Sequence, residues 1–230
     1  MGDLVRKRIM VTSGGTREYI DDVRVITNIS SGALGAKIAE ELLERGASVS
    51  YVHAKRACIP INYDTLEGWD TSRNLLCCHE IVTSYDLFET MKKLLTGFNI
   101  DAVVHAAAVS DFTFDLNKAM KLSSSSPEAF IEHLRSTIKK TPKIIRHIHE
   151  WDPKTILIGF KFTVGCKDIL PNARDFLKST GSHMIVANDK EEMAKLRIHR
   201  AYLVTNIGHV TANGKVSIAV EIADFLENIL

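Results

Sequence analysis

The sequence predicts an α/β protein with a Rossmann-like, mostly parallel sheet, helices on both faces and a late β-hairpin. Short apolar runs alternate along the chain with amphipathic stretches of helical period, as in repeated βα units. Apolar residues make up 45% of the 230 residues, which is enough to bury a sizeable core. No internal repeat or linker divides the sequence. We therefore expect a single domain over residues 1–230.

The first half of the chain alternates as this fold requires. Its first predicted strand is the apolar run Arg8–Thr12. Residues 16–30 are polar and turn-rich and predict a long loop. From Ser31, apolar residues recur at i, i+4 and i+8, which predicts a helix that Gly46 ends. The remaining elements predicted here are strands at Ala47–His53, Leu75–Thr83 and Asp101–Ala108, and a helix at Asp86–Leu95.

The second half opens with another long predicted loop, residues 109–126. Ser126 followed by Pro127 is typical of a helix start, and this helix is expected to reach about Lys139. The late hairpin is expected to turn at Asn213-Gly214. The remaining predicted elements are a short helix from Thr141-Pro142, strands at Thr155–Phe160, Met184–Ala187 and Tyr202–Thr205, and helices at Asp168–Ser179 and Ile218–Leu230.

Composition excludes several classes of protein. Lys plus Arg number 29 and Asp plus Glu 28. The net charge of +1 lacks the excess of positive charge that binds nucleic acid or an anionic membrane. No apolar run approaches the length of a membrane span. The four cysteines show no CxxC spacing, which favours reduced thiols. We expect a cytoplasmic protein without nucleic-acid or membrane partners.

The two long loops follow the first strand and the Asp101–Ala108 strand at their carboxyl ends, where open α/β sheets bind ligands. Gly14 and Gly15 would let backbone approach a ligand. Ser30, Ser31 and Gly32 open a helix whose free N–H groups favour phosphate. An ordinary capped βα unit would show the same glycines, so these residues alone leave both interpretations open.

Residues 12–35 read TSGGTREYIDDVRVITNISSGALG. The stretch resembles the pattern T-x-G-x-T-R-E-x-[IL]-D-x-V-R-x-[IL]-[ST]-N-x-S-S-G-x-x-G of the phosphopantothenate–cysteine ligase family. Further segments resemble that family in the same order and spacing. They are residues 106–112 (AAAVSDF), 121–122 (KL), 141–145 (TPKII), 158–160 (IGF) and 186–189 (VAND).

The resemblance implies a ligase of coenzyme A synthesis that acts as a free-standing synthetase. In this family the carboxylate of 4′-phosphopantothenate attacks the α-phosphate of CTP or ATP, giving an acyl nucleotide and pyrophosphate. Cysteine then displaces the nucleotide and forms an amide. The resemblance also implies Mg²⁺ and a homodimer. The late hairpin is our candidate dimerisation element, because a two-stranded ribbon is rarely stable alone.

The resemblance also assigns residue roles. Asn28 would serve the second half-reaction, where an amide donor can stabilise charge on the carbonyl oxygen. Arg24 would bind the substrate phosphate, Asn188 the substrate, and Asp111 the Mg²⁺ ion or a ribose hydroxyl. Lys121 would be a catalytic cation on the triphosphate. The other expected nucleotide contacts are Gly14, Gly15, Ser30, Ser31, Gly32, Ala106, Ala107, Ala108, Pro142, Lys143, Ile144, Ile145, Phe160, Arg174 and Lys178.

Two departures from the family pattern touch the grip on the nucleotide, and a third touches base recognition. Ala33 stands where the family often has Lys or Arg, and Ser123–Ser126 where many members have further lysines. Lys161-Phe162-Thr163 replaces Ala-Ala-Glu-Thr after Gly-Phe. Two rival functions are an NAD(P)-dependent reductase on the same fold and a non-catalytic nucleotide-binding module. The reductase would need a compact glycine motif and a YxxxK pair after a later strand, whereas Tyr51 and Lys55 follow the second predicted strand.

Overall fold

The structure is a computed structural model that describes residues 4–61, 66–67, 75–115 and 126–230. Its strands are β1 (Arg8–Ser13), β2 (Arg17–Tyr19), β3 (Val25–Thr27), β4 (Ser48–Ala54), β5 (Leu66–Glu67), β6 (Leu76–Ile81), β7 (Ala102–His105), β8 (Phe112–Phe114), β9 (Ile138–Lys140), β10 (Ile156–Thr163), β11 (Met184–Asp189), β12 (Arg200–Val204) and β13 (His209–Asn213). Its helices are α1 (Ala33–Glu44), α2 (Ser84–Gly97), α3 (Pro127–Thr137), α4 (Ile144–Trp151), α5 (Ile169–Thr180), α6 (Lys190–Leu196) and α7 (Lys215–Ile229).

The central sheet confirms the predicted Rossmann-like class. Its described strands run in the order β13-β12-β11-β10-β7-β1-β4-β6-β5. Every pairing from β11 to β5 is parallel, whereas β12 and β13 are antiparallel additions at one edge. The strand order reverses between β1 and β7. This is the point at which such sheets open a crevice for a ligand.

Helices cover both faces because successive side chains of each buried strand point to opposite sides. Ile9 and Val11 of β1 pack with α1 and α7, whereas Met10 packs with α2 and α4 on the other face. Helix α5 extends this second layer over β11 and β12. Among the described residues, no helix is long and apolar enough to cross a membrane.

Both predicted long loops contain strands that the sequence analysis missed. Within residues 16–30, β2 and β3 form an antiparallel hairpin, and β8 pairs with β9 just after α3. Helix α3 therefore ends at Thr137 rather than near Lys139. Each of these strands has three residues, which is too short for an alternating pattern to be recognised.

The late hairpin is present, but its predicted turn is wrong. Strands β12 and β13 are joined by residues 205–208, where Thr205 N–H donates to the Gly208 carbonyl at 2.9 Å. Gly214 has a φ of +91° and precedes α7, so Asn213-Gly214 is a helix entry. Because β12 also pairs with β11, the hairpin is part of the main sheet and needs no partner subunit for its stability. Helix α6 was not predicted.

Candidate functional site

The loops that follow β1 and β7 are bonded to each other at the carboxyl edge of the sheet. Ala108 N–H donates to the Gly14 carbonyl at 2.8 Å, and Thr16 N–H donates to the Ala108 carbonyl at 3.2 Å. Ser110 N–H donates to the Thr16 hydroxyl at 3.0 Å. Gly15 and Ala108 form a parallel bridge. The structure thus brings together the two segments in which the sequence predicts a site.

Asn28 joins this pair of loops through its side chain. Its Nδ2 donates to the carbonyls of Ala108 and Val109 at 3.2 and 3.1 Å. Both partners are acceptors, so the amide orientation is fixed chemically. With both N–H groups engaged, Oδ1 is the amide atom open to a ligand donor. The resemblance implies that Asn28 donates to the carbonyl oxygen of the reacting substrate. One of these two hydrogen bonds would have to break for that.

At each predicted anion-binding glycine, other protein atoms occupy the space that a side chain would need. A Cβ on Gly14 would lie 2.7 Å from the Ala57 Cβ, and one on Gly32 would lie 2.8 Å from it. A Cβ on Gly15 would lie 2.4 Å from the Asn28 carbonyl oxygen. These glycines are therefore required for close internal packing at the entry to α1. Ser31 is exposed beside them, and its carbonyl accepts from Cys58 N–H at 2.8 Å.

Tyr51 belongs to the core of the α1 and α7 face. Its hydroxyl donates to the Cys58 carbonyl at 2.7 Å, and burial raises the pKa of Tyr51 above its usual range. Lys55 is exposed. A tyrosine held in this way cannot act as the exposed proton donor that a YxxxK reductase requires, so the structure argues against the reductase interpretation.

A buried polar pair underlies the Ala106–Ala108 segment. The Thr12 hydroxyl lies 2.9 Å from His105 Nδ1 and accepts from Ala107 N–H at 3.1 Å. Burial lowers the pKa of His105 to about 4, so the ring is neutral at pH 7. Thr12 and His105 together fix the backbone of a predicted nucleotide contact.

The β2–β3 hairpin is anchored to the start of α2. Glu18 is buried and its Oε1 accepts from Ser84 N–H at 2.8 Å, while Arg17 N–H donates to the Val82 carbonyl at 2.8 Å. At the other strand, the Thr27 hydroxyl donates to the Thr16 carbonyl at 2.8 Å. These bonds position the segment that carries Arg24 and Asn28.

Arg24 lies at the tip of this hairpin. Its guanidinium is 3.6 Å from the buried carboxylate of Asp21 and 5.3 Å from the centre of the Phe130 ring. Asp21 also accepts from the backbone N–H groups of Val23 and Arg24 at 2.9 and 2.7 Å. The guanidinium is held between a carboxylate and an aromatic face and is about one third exposed, so it remains accessible to a phosphate.

Asp111, in the loop after β7, and Lys143, just before α4, form an exposed ion pair. The Asp111 carbonyl also accepts from Thr141 N–H at 3.0 Å, which ties the loop after β7 to the segment before α4. Among the described residues, no group of three or more His, Cys, Asp or Glu side chains could hold a metal. Asp111 fits Mg²⁺ as a single carboxylate ligand, since Mg²⁺ commonly binds one or two carboxylates together with substrate phosphates.

The other predicted nucleotide contacts differ in how far they are buried. Ile144 and Ile145 are buried in the core, so only their backbone could contact a ligand. Phe160 packs against the α1 and α7 face, opposite to the α4 side. Pro142, Arg174 and Lys178 are exposed, the last two on α5. Ser30 is half-buried. Lys121 and Ser123 to Ser125 lie outside the described residues.

Asn188 lies at the carboxyl end of β11 and is 8% exposed. Its Nδ2 is 3.4 Å from His199 Nε2. The neighbouring Asp189 accepts from Cys166 N–H at 3.0 Å and from the Thr163 hydroxyl at 2.8 Å, as well as from the start of α6. These hydrogen bonds hold the pKa of Asp189 well below its usual value. Asp189 therefore ties the end of β11, next to Asn188, to the end of β10, to the loop after β10 and to the start of α6.

Sequence reasoning missed the residues that support the site. They are Thr12, Thr16, Glu18, His105 and Asp189, each buried and hydrogen-bonded. A polar residue inside a predicted buried strand, such as Thr12 or His105, is the signal that could have found them. Such groups are retained inside a protein only when they have partners.

The fold and the joined loops define an α/β protein of the Rossmann-like class, with polar groups collected at the carboxyl edge of its sheet. Residues 4–229 match the family described as DNA/pantothenate metabolism flavoprotein C-terminal domain. The chain belongs to this family, which confirms the resemblance seen in the sequence.

Individual proteins similar to this chain come from the same family. A DNA/pantothenate metabolism flavoprotein from Streptococcus pneumoniae superimposes with a TM-score of 0.79 at 31% identity, over 97% of this chain and 100% of that one. The C-terminal domain of a coenzyme A biosynthesis bifunctional protein CoaBC has a TM-score of 0.73 at 25% identity, over 100% and 98%. The CoaBC protein of Thermococcus kodakarensis is 36% identical over 184 residues, which are 79% of this chain and 41% of that protein.

Proposed function

We propose that this chain ligates phosphopantothenate to cysteine through an acyl-nucleotide intermediate. The observation that carries the proposal is the meeting of the family's two signature segments, where Asn28 joins the β1 and β7 loops. Membership of the family and similarity to the CoaBC C-terminal domain support it. We further propose that residues 1–230 act as one domain in the cytoplasm.

The first half-reaction is attack of a substrate carboxylate oxygen on the α-phosphorus of CTP or ATP. The bond from the α-phosphorus to the bridging oxygen breaks, and pyrophosphate leaves. Arg24 would hold the substrate phosphate, since a guanidinium forks onto phosphate oxygens. Lys121 and Lys143 would contact the nucleotide. Mg²⁺, held by Asp111 and the phosphates, would neutralise charge on the triphosphate.

The second half-reaction is attack of the cysteine amine on the acyl carbon. The carbon–oxygen bond to the nucleotide breaks, the nucleoside monophosphate leaves, and the amine loses a proton. Asn28 Oδ1 can accept a hydrogen bond from the incoming amine. One N–H of its Nδ2 can turn to the substrate carbonyl oxygen as charge develops there. Asn188 would position the substrate from the β11 side.

The direct test mixes the protein with 4′-phosphopantothenate, Mg²⁺ and either CTP or ATP, with and without cysteine. We expect sustained pyrophosphate release and an amide, identified by mass, only when cysteine is present. Without cysteine, pyrophosphate should stop at about one equivalent per site. A folded protein that binds a nucleotide but releases no pyrophosphate with either one would contradict the ligase and favour a non-catalytic module.

We also propose that the chain forms a homodimer through the β2–β3 hairpin and the adjoining β8–β9 pair. This surface exposes apolar side chains next to Arg24 and Asn28, as expected of a protein interface. They are Tyr19, Val23, Val25, Ile26, Ile29, Phe112 and Ile138. The surface replaces the late hairpin as our candidate, because that hairpin is already paired in the main sheet.

Sedimentation equilibrium tests the dimer. The wild type should have twice the chain mass of 25.6 kDa, and Ile26→Asp should reduce it to one chain. Ile207→Asp in the exposed turn of the late hairpin is the matched control and should leave the dimer intact. Dissociation by Ile207→Asp alone would place the interface at the late hairpin instead.

A further inference from the structure

Lys161 lies on β10, and its side chain is on the face of the strand that packs against α4 and α5. Alternation places it on the same face as Gly159, where an added Cβ would lie 2.8 Å from the Ile145 Cδ1 of α4. The Lys161 ammonium is 5.1 Å from the centre of the Phe176 ring of α5. Lys161 belongs to the segment that departs from the family pattern.

The strand register places Lys161 beside the predicted nucleotide segment. Gly159 pairs with His105, the last residue of β7. Lys161 is two residues further along, or about 6.6 Å beyond that pair, level with the loop that follows β7. Ala107 of that loop packs in the same apolar cluster as Ile145 and Phe176. Ala107, Ile145 and Phe176 therefore lie on the same face of the sheet as Lys161.

The Lys161 ammonium has no carboxylate partner among the described residues, where it makes no ion pair within 4.0 Å. Its half-buried side chain rests against the Phe176 ring, which favours a cation without using its hydrogen-bond donors. Lys143, a cation immediately before α4, is by contrast paired with Asp111. A half-buried ammonium with unused donors is suited to bind an anion.

We propose that Lys161 binds a phosphate group of the nucleoside triphosphate from the β10 side of the site. The proposal rests on the proposed function for the identity of the ligand and adds a contact that the family pattern, with alanine at this position, does not supply. Phe176 positions the ammonium, and the three N–H donors contact phosphate oxygens. The phosphate of phosphopantothenate has the same chemistry, and the experiment separates the two ligands.

Calorimetric titration with Mg²⁺-loaded CTP and ATP, tripolyphosphate and 4′-phosphopantothenate tests the assignment directly. Lys161→Met should weaken nucleotide and tripolyphosphate binding by about 10- to 100-fold, the range expected for a charge-assisted hydrogen bond. Lys161→Arg should retain most of the affinity. Lys154→Met, an exposed lysine just before β10 at its other end, is the matched control and should bind as the wild type does. Phosphopantothenate affinity should stay unchanged in all variants.

Equal nucleotide affinity in Lys161→Met and wild type would overturn the assignment, while amide synthesis by the wild type would leave the ligase standing. Loss of phosphopantothenate binding instead of nucleotide binding would also overturn it. A third outcome is a protein that makes no amide but binds tripolyphosphate only when Lys161 is present. That outcome would contradict the ligase and support the Lys161 site. Unfolding curves of each variant verify that the fold is retained.

Discussion

Replacement of Asn28 by aspartate is expected to slow amide formation by about 100- to 1,000-fold, the loss typical of removing one oxyanion-type donor. The Asn28 Nδ2 donates to the carbonyls of Ala108 and Val109. A carboxylate cannot donate and would be repelled by both oxygens. Because Asn28 is exposed, the fold should persist. The nucleotide should still bind, and pyrophosphate release in the absence of cysteine should still reach the wild-type level.

Rapid-quench analysis checks this result by following the acyl nucleotide and the amide separately. The acyl nucleotide should accumulate in Asn28→Asp, since the first half-reaction does not need the amide donor. Asn213→Asp is the matched control, because that side-chain oxygen accepts from Arg200 Nε at 3.0 Å and an aspartate can do the same. Amide formation at the wild-type rate in Asn28→Asp would remove Asn28 from the second half-reaction.

His105 is expected to make the protein less stable in acid by about 3 kcal/mol, an order-of-magnitude figure from 1.36 kcal/mol per pKa unit. Burial lowers the pKa of His105 from 6.5 to about 4. Between these values the unfolded chain binds a proton that the folded chain does not. The contribution is therefore zero above pH 6.5, and stability falls as the pH decreases towards 4.

Denaturant unfolding between pH 4 and 7.5 measures this effect by comparing the wild type with His105→Asn. An asparagine amide can hydrogen-bond the Thr12 hydroxyl in place of the imidazole but does not titrate. Burial also lowers the pKa values of His79, His183 and His199, so the variant should lose less stability in acid than the wild type without becoming independent of pH. His209→Asn, an exposed histidine, should follow the wild-type curve. Equal acid sensitivity in His105→Asn would contradict a neutral, buried His105.

The sequence by itself determined the fold class and the family, and it predicted the place of the site. Apolar runs with flanking turn signals, such as Arg8–Thr12 before Gly14, identify buried strands without any tertiary information. The stripe from Leu34 to Leu42 identifies α1 in the same way. The signature around Asn28 led to the family because its residues are adjacent in the chain. Where the signal depends on neighbours in sequence, sequence analysis recovers it.

Tertiary structure alone decided which groups support those residues. The β2–β3 hairpin is stabilised by bonds to α2 through Glu18, and its three-residue strands have no pattern of their own. Thr12 meets His105, and Asn28 meets Ala108, across separations of 93 and 80 residues. Lys161 and Phe176 lie on different elements, and the late hairpin joins the main sheet only through β11. Such contacts are fixed by packing of distant segments, and local propensity carries no information about them.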